Sequence, residues 1–238
     1  MRCEEKEGIV LLRFETCDFP GLVHWFVTRR VPFDVQRKEG RRALEAYLGI
    51  GPIFVAHQVH GAEVFVLEDD SPPFSIFADA LLTCKKNRYL GVLVADCVPL
   101  LLFASQEEVL GVVHAGWRGI VEGVHKKAVE VMKERFAVSP SSLWAGVGPA
   151  IGPCCFAVGS EVAECFRILG KEAFVKERRG RFFVDLEGVV VEDLVLLGLK
   201  RERIEVSRLC TACGGDLFYS FRRDGTQGRC LLLAGMRG

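Results

Sequence analysis

Three residues with metal-binding or nucleophilic side chains lie at the ends of short apolar runs. Cys97 closely follows the run 90–95, His114 ends the run 109–114, and His60 lies in a turn between the runs 53–56 and 62–67. A thiol and two imidazoles placed in this way suit a three-ligand catalytic zinc site with one open position. They would equally supply a cysteine nucleophile and its general base. The residue types alone leave both kinds of chemistry open.

The segment after His114 adds features that bind anions. An apolar strand runs into Gly116, Trp117 and Arg118, where a helix is expected to begin. The N–H groups at a helix start are unpaired, and a guanidinium forms a planar fork that suits phosphate or carboxylate. We therefore expect Arg118 to hold an anion, the alternative being a surface arginine in a tight turn.

Residues beside Cys97 and His60 are candidates for supporting roles. Pro99 has no N–H for a sheet ladder, so strand pairing is expected to stop there and leave Cys97 facing a cleft. Asp96 is expected to orient a ligand or a neighbouring loop. His57 is expected to be a packed or surface residue, because His60 and Gly61 form the turn.

The ten cysteines include two further groupings. Cys210 and Cys213 have the spacing of a zinc knuckle or a redox pair, but no second pair follows them. Cys154 and Cys155 follow a Gly- and Pro-rich loop that could form the wall of a pocket. We expect all four to be structural thiols.

Aromatic and basic residues alternate near the end of the chain. The stretch 218–221 could stack a planar base, and the arginines that follow it could hold an anion, although an ordinary helical turn would have the same composition.

The elements that must position these residues alternate between strands and helices without a fixed repeat. Strands are predicted over residues 9–14, 22–27, 53–56, 62–67, 80–84, 90–95, 99–103, 109–114, 143–147, 182–184, 204–207 and 229–234, the last after a turn over 224–228. Helices are predicted over residues 41–48, 117–136, 161–169 and 190–199. Groups of strands with a few helices between them indicate an α+β fold, and residues 1–238 are expected to form a single domain.

Composition excludes several classes of protein. Of the 238 residues, 50% are hydrophobic and 26% charged, so the chain can bury a large core without disulfides. The net charge of zero gives no general attraction to nucleic acid or to an anionic membrane. The charged first residues do not resemble a signal peptide, and Asp96 and Pro99 interrupt the most apolar stretch. We expect a soluble cytoplasmic protein with free thiols.

Six segments, in order, resemble the YfiH-type family, whose members have been labelled laccase-domain or polyphenol oxidase proteins. They are Gln-Val-His-Gly, Asp-Ala-Leu-Leu-Thr, Ala-Asp-Cys-Val-Pro, His-Ala-Gly-Trp-Arg-Gly, Gly-Pro-Ala-Ile-Gly-Pro-Cys-Cys and Phe-Tyr-Ser-Phe-Arg-Arg-Asp-Gly, spread over residues 20–237. The resemblance implies a four-layer α-β-β-α sandwich with mixed sheets. It also implies about one zinc ion per chain, held by His60, Cys97 and His114 as the catalytic centre.

The same resemblance implies a purine nucleoside phosphorylase that acts on adenosine, inosine, guanosine and methylthioadenosine and also deaminates adenosine. Its partners would be nucleosides and phosphate, not nucleic acid or membrane, and it would be a monomer or small homo-oligomer. Arg118, Arg222 and Arg223 are the expected anion-binding residues. Asp79, Asp96 and Glu161 are the carboxylates considered for proton transfer.

Alternative functions remain to be tested. A coupled multicopper oxidase is not expected, because only His24, His57 and His125 would be left to supply further imidazoles. A metal-free cysteine hydrolase or amidase would use Cys97 and His114 as nucleophile and base. A non-enzymatic partner protein would hold the zinc ion in a structural site.

Overall fold

Two six-stranded sheets and a three-stranded sheet form the framework of the protein, for which the computed structural model describes residues 1–68, 75–225 and 228–238. In chain order, the strands of these ranges are β1 (Arg2–Lys6), β2 (Ile9–Arg13), β3 (Leu22–Val27), β4 (Ile53–Phe54), β5 (Val64–Val66), β6 (Ala80–Thr83), β7 (Tyr89–Val94), β8 (Val98–Ala104), β9 (Val109–Ala115), β10 (Trp144–Val147), β11 (Ala157–Val158), β12 (Val175–Arg178), β13 (Arg181–Val184), β14 (Ile204–Val206) and β15 (Cys230–Met236). The α-helices are α1 (Lys38–Leu48), α2 (Trp117–Glu122), α3 (Val124–Phe136), α4 (Ser160–Ile168), α5 (Leu186–Leu196) and α6 (Phe221–Asp224).

Both large sheets contain parallel and antiparallel pairs. The first has the order β1-β2-β3-β15-β7-β4 and is parallel between β7 and β4. The second has the order β14-β10-β8-β9-β6-β5 and is parallel at both edges. The third sheet, β11-β13-β12, is antiparallel. This arrangement confirms the α+β class with mixed sheets.

Side chains alternate between two cores along the buried strands. On β8, Leu101 and Phe103 contribute to the core that also holds residues of the first sheet, whereas Leu100 and Leu102 contribute to a core shared with helices α3 and α5. This alternation is the period of two that an extended chain imposes. Leu44 of α1 belongs to a third core with residues of β15. In the described ranges, no helix is long and apolar enough to cross a membrane.

The helix predicted over residues 117–136 is wrong as a single element. Gly123 interrupts it with φ of 82°, and its N–H donates to the carbonyl of Ile120 at 3.0 Å. Glycine adopts this left-handed conformation without a steric penalty. The apolar periodicity crosses the break because Ile120 of α2 and Val124 of α3 are buried in the same core.

The interruption of strand pairing predicted at Pro99 is also wrong. β8 includes Pro99, which lies opposite His114 of β9. The His114 N–H donates to the carbonyl of Asp79 at 2.7 Å, on the side away from β8, so this pair needs no N–H from proline. On its other side, the Pro99 carbonyl accepts the Gly148 N–H at 2.9 Å. Cys97 is therefore placed by the loop that precedes β8.

Two further points concern the two ends of the chain, and only the first is a difference from the prediction. The charged segment Arg2–Lys6 was not predicted as a strand, yet it pairs with β2 at the edge of the first sheet. Edge strands tolerate charged side chains, which weakens the apolar signal of a strand. The turn predicted over residues 224–228 includes residues 226 and 227, which lie outside the described residues.

Candidate metal centre and ligand cleft

His60, Cys97 and His114 meet where β8 begins and β9 ends. Their ligand atoms all lie within 4.8 Å of one another. A tetrahedral ion with bonds of about 2.0–2.3 Å to nitrogen and sulfur spaces its ligands roughly 3.3–3.6 Å apart, so small side-chain movements would close this group around an ion. The donor set and the spacing fit a catalytic metal, and these residues form a candidate metal site.

The backbone at the site is held in uncommon conformations. His60 has φ of 61° and Asp96 has φ of 87°, both in the left-handed region that residues other than glycine rarely adopt. Such conformations are concentrated at functional sites. At Gly116, a Cβ atom would lie 3.0 Å from His60 Cδ2 and 3.1 Å from Cys97 Sγ. A larger residue there would push against two of the three ligands.

Asp79 connects the two imidazole-bearing segments. Its fully buried carboxylate accepts the Nδ1–H of His114 at 2.7 Å, which leaves His114 Nε2 available to the site. It also accepts the backbone N–H groups of Val59, His60 and Gly61 at 3.2, 3.0 and 2.9 Å. A carboxylate that orients a ligating histidine is a common partner of metal sites. Asp79 is thus a positioning residue, and sequence reasoning found it only as a candidate for proton transfer.

The charges of this group are strongly coupled. Burial favours a higher pKa for Cys97, but the facing His114 and hydrogen bonds from both histidines lower the pKa of this thiol to about 6. Burial favours a lower pKa for His114, but Cys97 and Asp79 raise the pKa of this imidazole to about 9. Burial also opposes ionisation of Asp79, yet its hydrogen bonds hold its pKa below the usual range. Because a thiolate rather than a thiol binds metals and acts as a nucleophile, this lowered pKa suits either candidate role of Cys97.

The three residues lie in an open cleft of about 840 Å³, a volume that fits a small organic ligand. Arg118 lies on this cleft with an exposed guanidinium that stacks 4.4 Å from the Trp117 ring centre. Among the described residues, no carboxylate lies within ion-pair distance of it. Arg118 therefore remains available to an anion.

Arg222 and Arg223 have different surroundings. Arg222 lines the cleft, stacks 5.2 Å from the Phe156 ring centre and donates its backbone N–H to Asp96 at 2.7 Å. The Arg223 guanidinium donates to the carbonyls of Thr211 and Phe218 at 2.9 and 2.8 Å. It also pairs with the adjacent Asp224 carboxylate. The structure brings Arg222 to the cleft but directs Arg223 into its own loop.

Arg229, which sequence reasoning did not select, also lines the cleft. It directly precedes β15, and a basic side chain at the start of an apolar run was the available signal.

Of the three carboxylates considered for proton transfer, Glu161 alone is exposed along the cleft. Asp96 is buried and accepts the Thr211 hydroxyl at 2.6 Å and the Arg222 N–H. Its carbonyl accepts the Ile151 N–H at 2.9 Å. Asp96 therefore holds the neighbouring loops in place. The sequence predicts that it orients either a ligand or a neighbouring loop, and these contacts correspond to the second role.

The aromatic stretch offers a single exposed ring to the cleft. Phe218 is buried in the core, and Tyr219 is covered by Arg29. Phe221 is 57% exposed and lines the cleft, so it is the member of the stretch that can stack a planar ligand.

The other three histidines do not extend the metal group. His57 is exposed and stacks on Phe77, with ring centres 5.3 Å apart. His24 Nε2 accepts the Phe14 N–H at 3.1 Å, and His125 Nε2 lies 2.9 Å from Asp193. Imidazoles arranged in this way do not supply the ligands of a coupled multicopper cluster.

Comparisons with known proteins agree with this architecture. Residues 33–237 match a family model described as multi-copper polyphenol oxidoreductase laccase. The chain is 39% identical to the purine nucleoside phosphorylase of Aquifex aeolicus, over 78% of this chain and 83% of that protein. It is 35% identical to the purine nucleoside phosphorylase YlmD of Geobacillus stearothermophilus, over 76% of this chain and 70% of that protein. The crystal structure of YlmD from Geobacillus stearothermophilus superposes with a TM-score of 0.87 and 29% identity, over 99% of both chains. The chain therefore belongs to the laccase-like YfiH family.

Proposed function

We propose that the protein is a zinc-dependent purine nucleoside phosphorylase that also deaminates adenosine. The observation that carries the proposal is the meeting of a His-Cys-His ligand set with Arg118 and Arg222 in one cleft, in a chain whose relatives are named purine nucleoside phosphorylases. Zinc is the ion that the donor set favours, because one thiolate and two imidazoles with an open position suit tetrahedral catalytic zinc. When bound, zinc would supply Lewis-acid stabilisation of developing negative charge.

The residues of the cleft can be assigned to the two substrates. Arg118 and Arg222 would bind phosphate through charge-assisted hydrogen bonds. The exposed ring of Phe221 would stack on the purine. This arrangement would place phosphate and nucleoside side by side, so that a phosphate oxygen can reach the ribose C1′.

In phosphorolysis, a bond forms between a phosphate oxygen and C1′ while the bond from C1′ to the purine nitrogen breaks. The bonding electrons leave with the purine, which must gain a proton. Glu161 is the exposed carboxyl group on the cleft that could deliver this proton or relay it from water. Asp79 would act through His60 and His114 by fixing their orientation.

The proposal is tested by product analysis on protein of known metal content. Inosine with phosphate should give hypoxanthine and ribose 1-phosphate, and adenosine should be converted partly to inosine. Cys97→Ala and His114→Ala should lose the zinc of this site together with both activities. Intact inosine after incubation with zinc-loaded protein and phosphate would refute the phosphorylase assignment.

A second candidate follows from the Cys97–His114 pair, whose thiolate and imidazolium would also suit a metal-free cysteine hydrolase. Such an enzyme would be inactivated by alkylation of Cys97 and would be indifferent to a chelator, whereas the phosphorylase should lose activity on chelation. A non-enzymatic zinc protein would bind the metal and turn over neither nucleoside.

A further inference from the structure

A second cluster of metal-ligating side chains lies outside the His60-Cys97-His114 group. The Sγ atoms of Cys154, Cys155, Cys210 and Cys213 all lie within 4.8 Å of one another. Cys213 Sγ is 3.6 Å from Cys154 Sγ and 3.4 Å from Cys155 Sγ. Four thiolates around a tetrahedral zinc ion, with bonds of about 2.3 Å, lie roughly 3.8 Å apart. The spacing of the cluster is close to that arrangement.

The backbone around the cluster supports thiolate ligands. Cys210 Sγ accepts the Gly152 N–H at 3.2 Å. The loop that carries Cys213 turns back so that the Gly214 N–H donates to the Cys210 carbonyl at 2.9 Å. An amide donor directed at sulfur stabilises the negative charge of a thiolate, as do the groups that hydrogen-bond to the ligands of metal sites.

The two pairs come from segments far apart in the sequence. Each pair by itself is a weak signal, and no second pair follows Cys210 and Cys213. The partner pair precedes them, and a β-bridge between Ala150 and Cys210 brings the two loops together. Gly152 lies between them, where a Cβ atom would be 3.3 Å from both Cys154 Sγ and Cys210 Cβ. The close approach of the loops thus depends on a residue without a side chain.

We propose that Cys154, Cys155, Cys210 and Cys213 form a tetrathiolate zinc site, separate from the candidate catalytic centre. Four sulfur ligands in tetrahedral spacing select zinc among the common divalent ions that bind without redox chemistry. With four protein ligands the site is closed, so its role is structural. The expected zinc content rises from one ion per chain to about two.

The four-cysteine site lies beside loops that line the cleft. Thr211, between two of the proposed ligands, donates its hydroxyl to Asp96, the residue before Cys97. Ile151 and Phe156, on either side of the Cys154-Cys155 pair, line the cleft. An ion bound by the four sulfurs would therefore fix the loops that form one wall of the cleft.

The test measures metal content in the full chain, purified under reducing and anaerobic conditions, and does not depend on the substrate of the cleft. Wild type should hold about two zinc ions, and the double variant Cys210→Ser with Cys213→Ser about one. The double variant His60→Ala with His114→Ala should also hold about one, from the cysteine cluster. A matched control, Cys3→Ser with Cys165→Ser, removes two thiols outside both groups and should keep the wild-type content.

Cobalt substitution identifies the ligands. Cobalt bound to the His60→Ala, His114→Ala variant should show intense thiolate-to-metal charge-transfer bands and the visible bands of tetrahedral coordination. Adding the milder change Cys154→Ser, at an exposed position, should weaken the charge-transfer bands, and circular dichroism should confirm that each variant is folded. Equal zinc content in wild type and in the Cys210→Ser, Cys213→Ser variant would overturn the proposal. Disulfides within the cluster, detected by thiol titration of protein kept under reductant, would overturn it as well.

Discussion

At the scale of single residues, Arg118 and Arg223 differ in what their guanidinium groups can still bind. Arg223 directs its guanidinium to backbone carbonyls and to Asp224, whereas Arg118 stacks on Trp117 and projects into the cleft. A guanidinium has five N–H donors, and an anion competes poorly for those that already have acceptors. Arg118 is therefore the arginine whose removal should affect phosphate most directly.

The Arg118→Ala variant should lower the rate of phosphorolysis by roughly 10- to 100-fold, because loss of a charge-assisted hydrogen bond costs about 1.5–3 kcal/mol. Deamination, which needs no phosphate, should decrease less, and zinc content and melting temperature should remain unchanged. Arg178→Ala is a suitable control, since Arg178 is exposed and stacks on Phe183 at 5.4 Å away from the cleft. Equal loss of both activities in Arg118→Ala would argue against a phosphate-specific role.

The residue types alone could indicate His60, Cys97 and His114, because imidazoles and a thiol at strand ends are few in this chain. They could not distinguish Arg222 from Arg223, since this difference depends on where the carbonyls of Thr211 and Phe218 lie after folding. The role of Asp79 could not be predicted either, because it depends on contacts that exist only in the folded chain. Its carboxylate accepts N–H groups from a turn about 20 residues earlier and from a histidine 35 residues later.

At the scale of elements, left-handed residues close α2 and α3 in two different ways. Gly123 ends α2 with φ of 82°, and Ala137 ends α3 with φ of 55°. The left-handed conformation costs an L-residue about 1–2 kcal/mol and costs glycine little. The helix between them therefore begins after a relaxed residue and ends at a strained one.

Substitutions at these two positions should change stability in opposite directions. Gly123→Ala should lower the free energy of unfolding by about 1–2 kcal/mol, since only the flexible Lys126 side chain would crowd the new methyl group and the backbone supplies the main cost. Ala137→Gly should raise it by roughly 0.5–1 kcal/mol, a gain reduced by the greater freedom of glycine in the unfolded chain. Urea unfolding of both variants beside wild type measures these changes. A neutral Gly123→Ala would show that the break between the helices is not under backbone control.

The apolar pattern predicted most elements to within a few residues, and β3 and β14 illustrate why. Val, Ile, Phe and Trp in short runs bounded by polar residues or glycine leave few alternatives to a strand. The pattern failed where side chains carry no information about the backbone. Periodicity continued across Gly123, and the missing N–H of Pro99 fell on the side of β8 that faces away from β9, just beyond the last pair of the ladder with β10.

At the scale of the whole molecule, a buried uncharged imidazole links folding to pH. His24 lies in the first sheet, is 1% exposed and stacks on Phe14 with ring centres 5.7 Å apart. Burial and the nearby Arg13 guanidinium lower its pKa to about 4 from the ordinary 6.5. Below pH 6.5 His24 therefore binds a proton in the unfolded chain but not in the folded chain. The free energy of unfolding consequently decreases as the pH falls toward 4.

This effect can be isolated with His24→Gln, whose amide oxygen can still accept the Phe14 N–H but does not titrate. Wild-type stability should decline between pH 6.5 and 4 with an extra slope approaching about 1.4 kcal/mol per pH unit relative to the variant. Above pH 6.5 the two unfolding curves should run parallel. Parallel curves over the acidic range as well would show that His24 does not carry the dependence.

The order of the strands in the sheets could not be predicted from the sequence, because it depends on pairing between distant segments. Neighbours such as β3 and β15, or β10 and β14, are joined by pairing between distant segments, and many registers would bury similar apolar surface. The same holds for the four cysteines, whose two pairs look unremarkable until the loops meet.

The placement of β15 between β3 and β7 has a consequence for synthesis of the protein on the ribosome. The chain must be extended from residue 94 to residue 230 before the strand that joins these two can exist. At about 5–20 residues per second, this interval lasts roughly 7–27 s, during which two apolar strand edges lack their partner. Unpaired edges are templates for association with other chains. The first sheet therefore cannot close during synthesis until almost the whole chain has been translated, and the open edges of β3 and β7 are the places where premature association of nascent chains would begin.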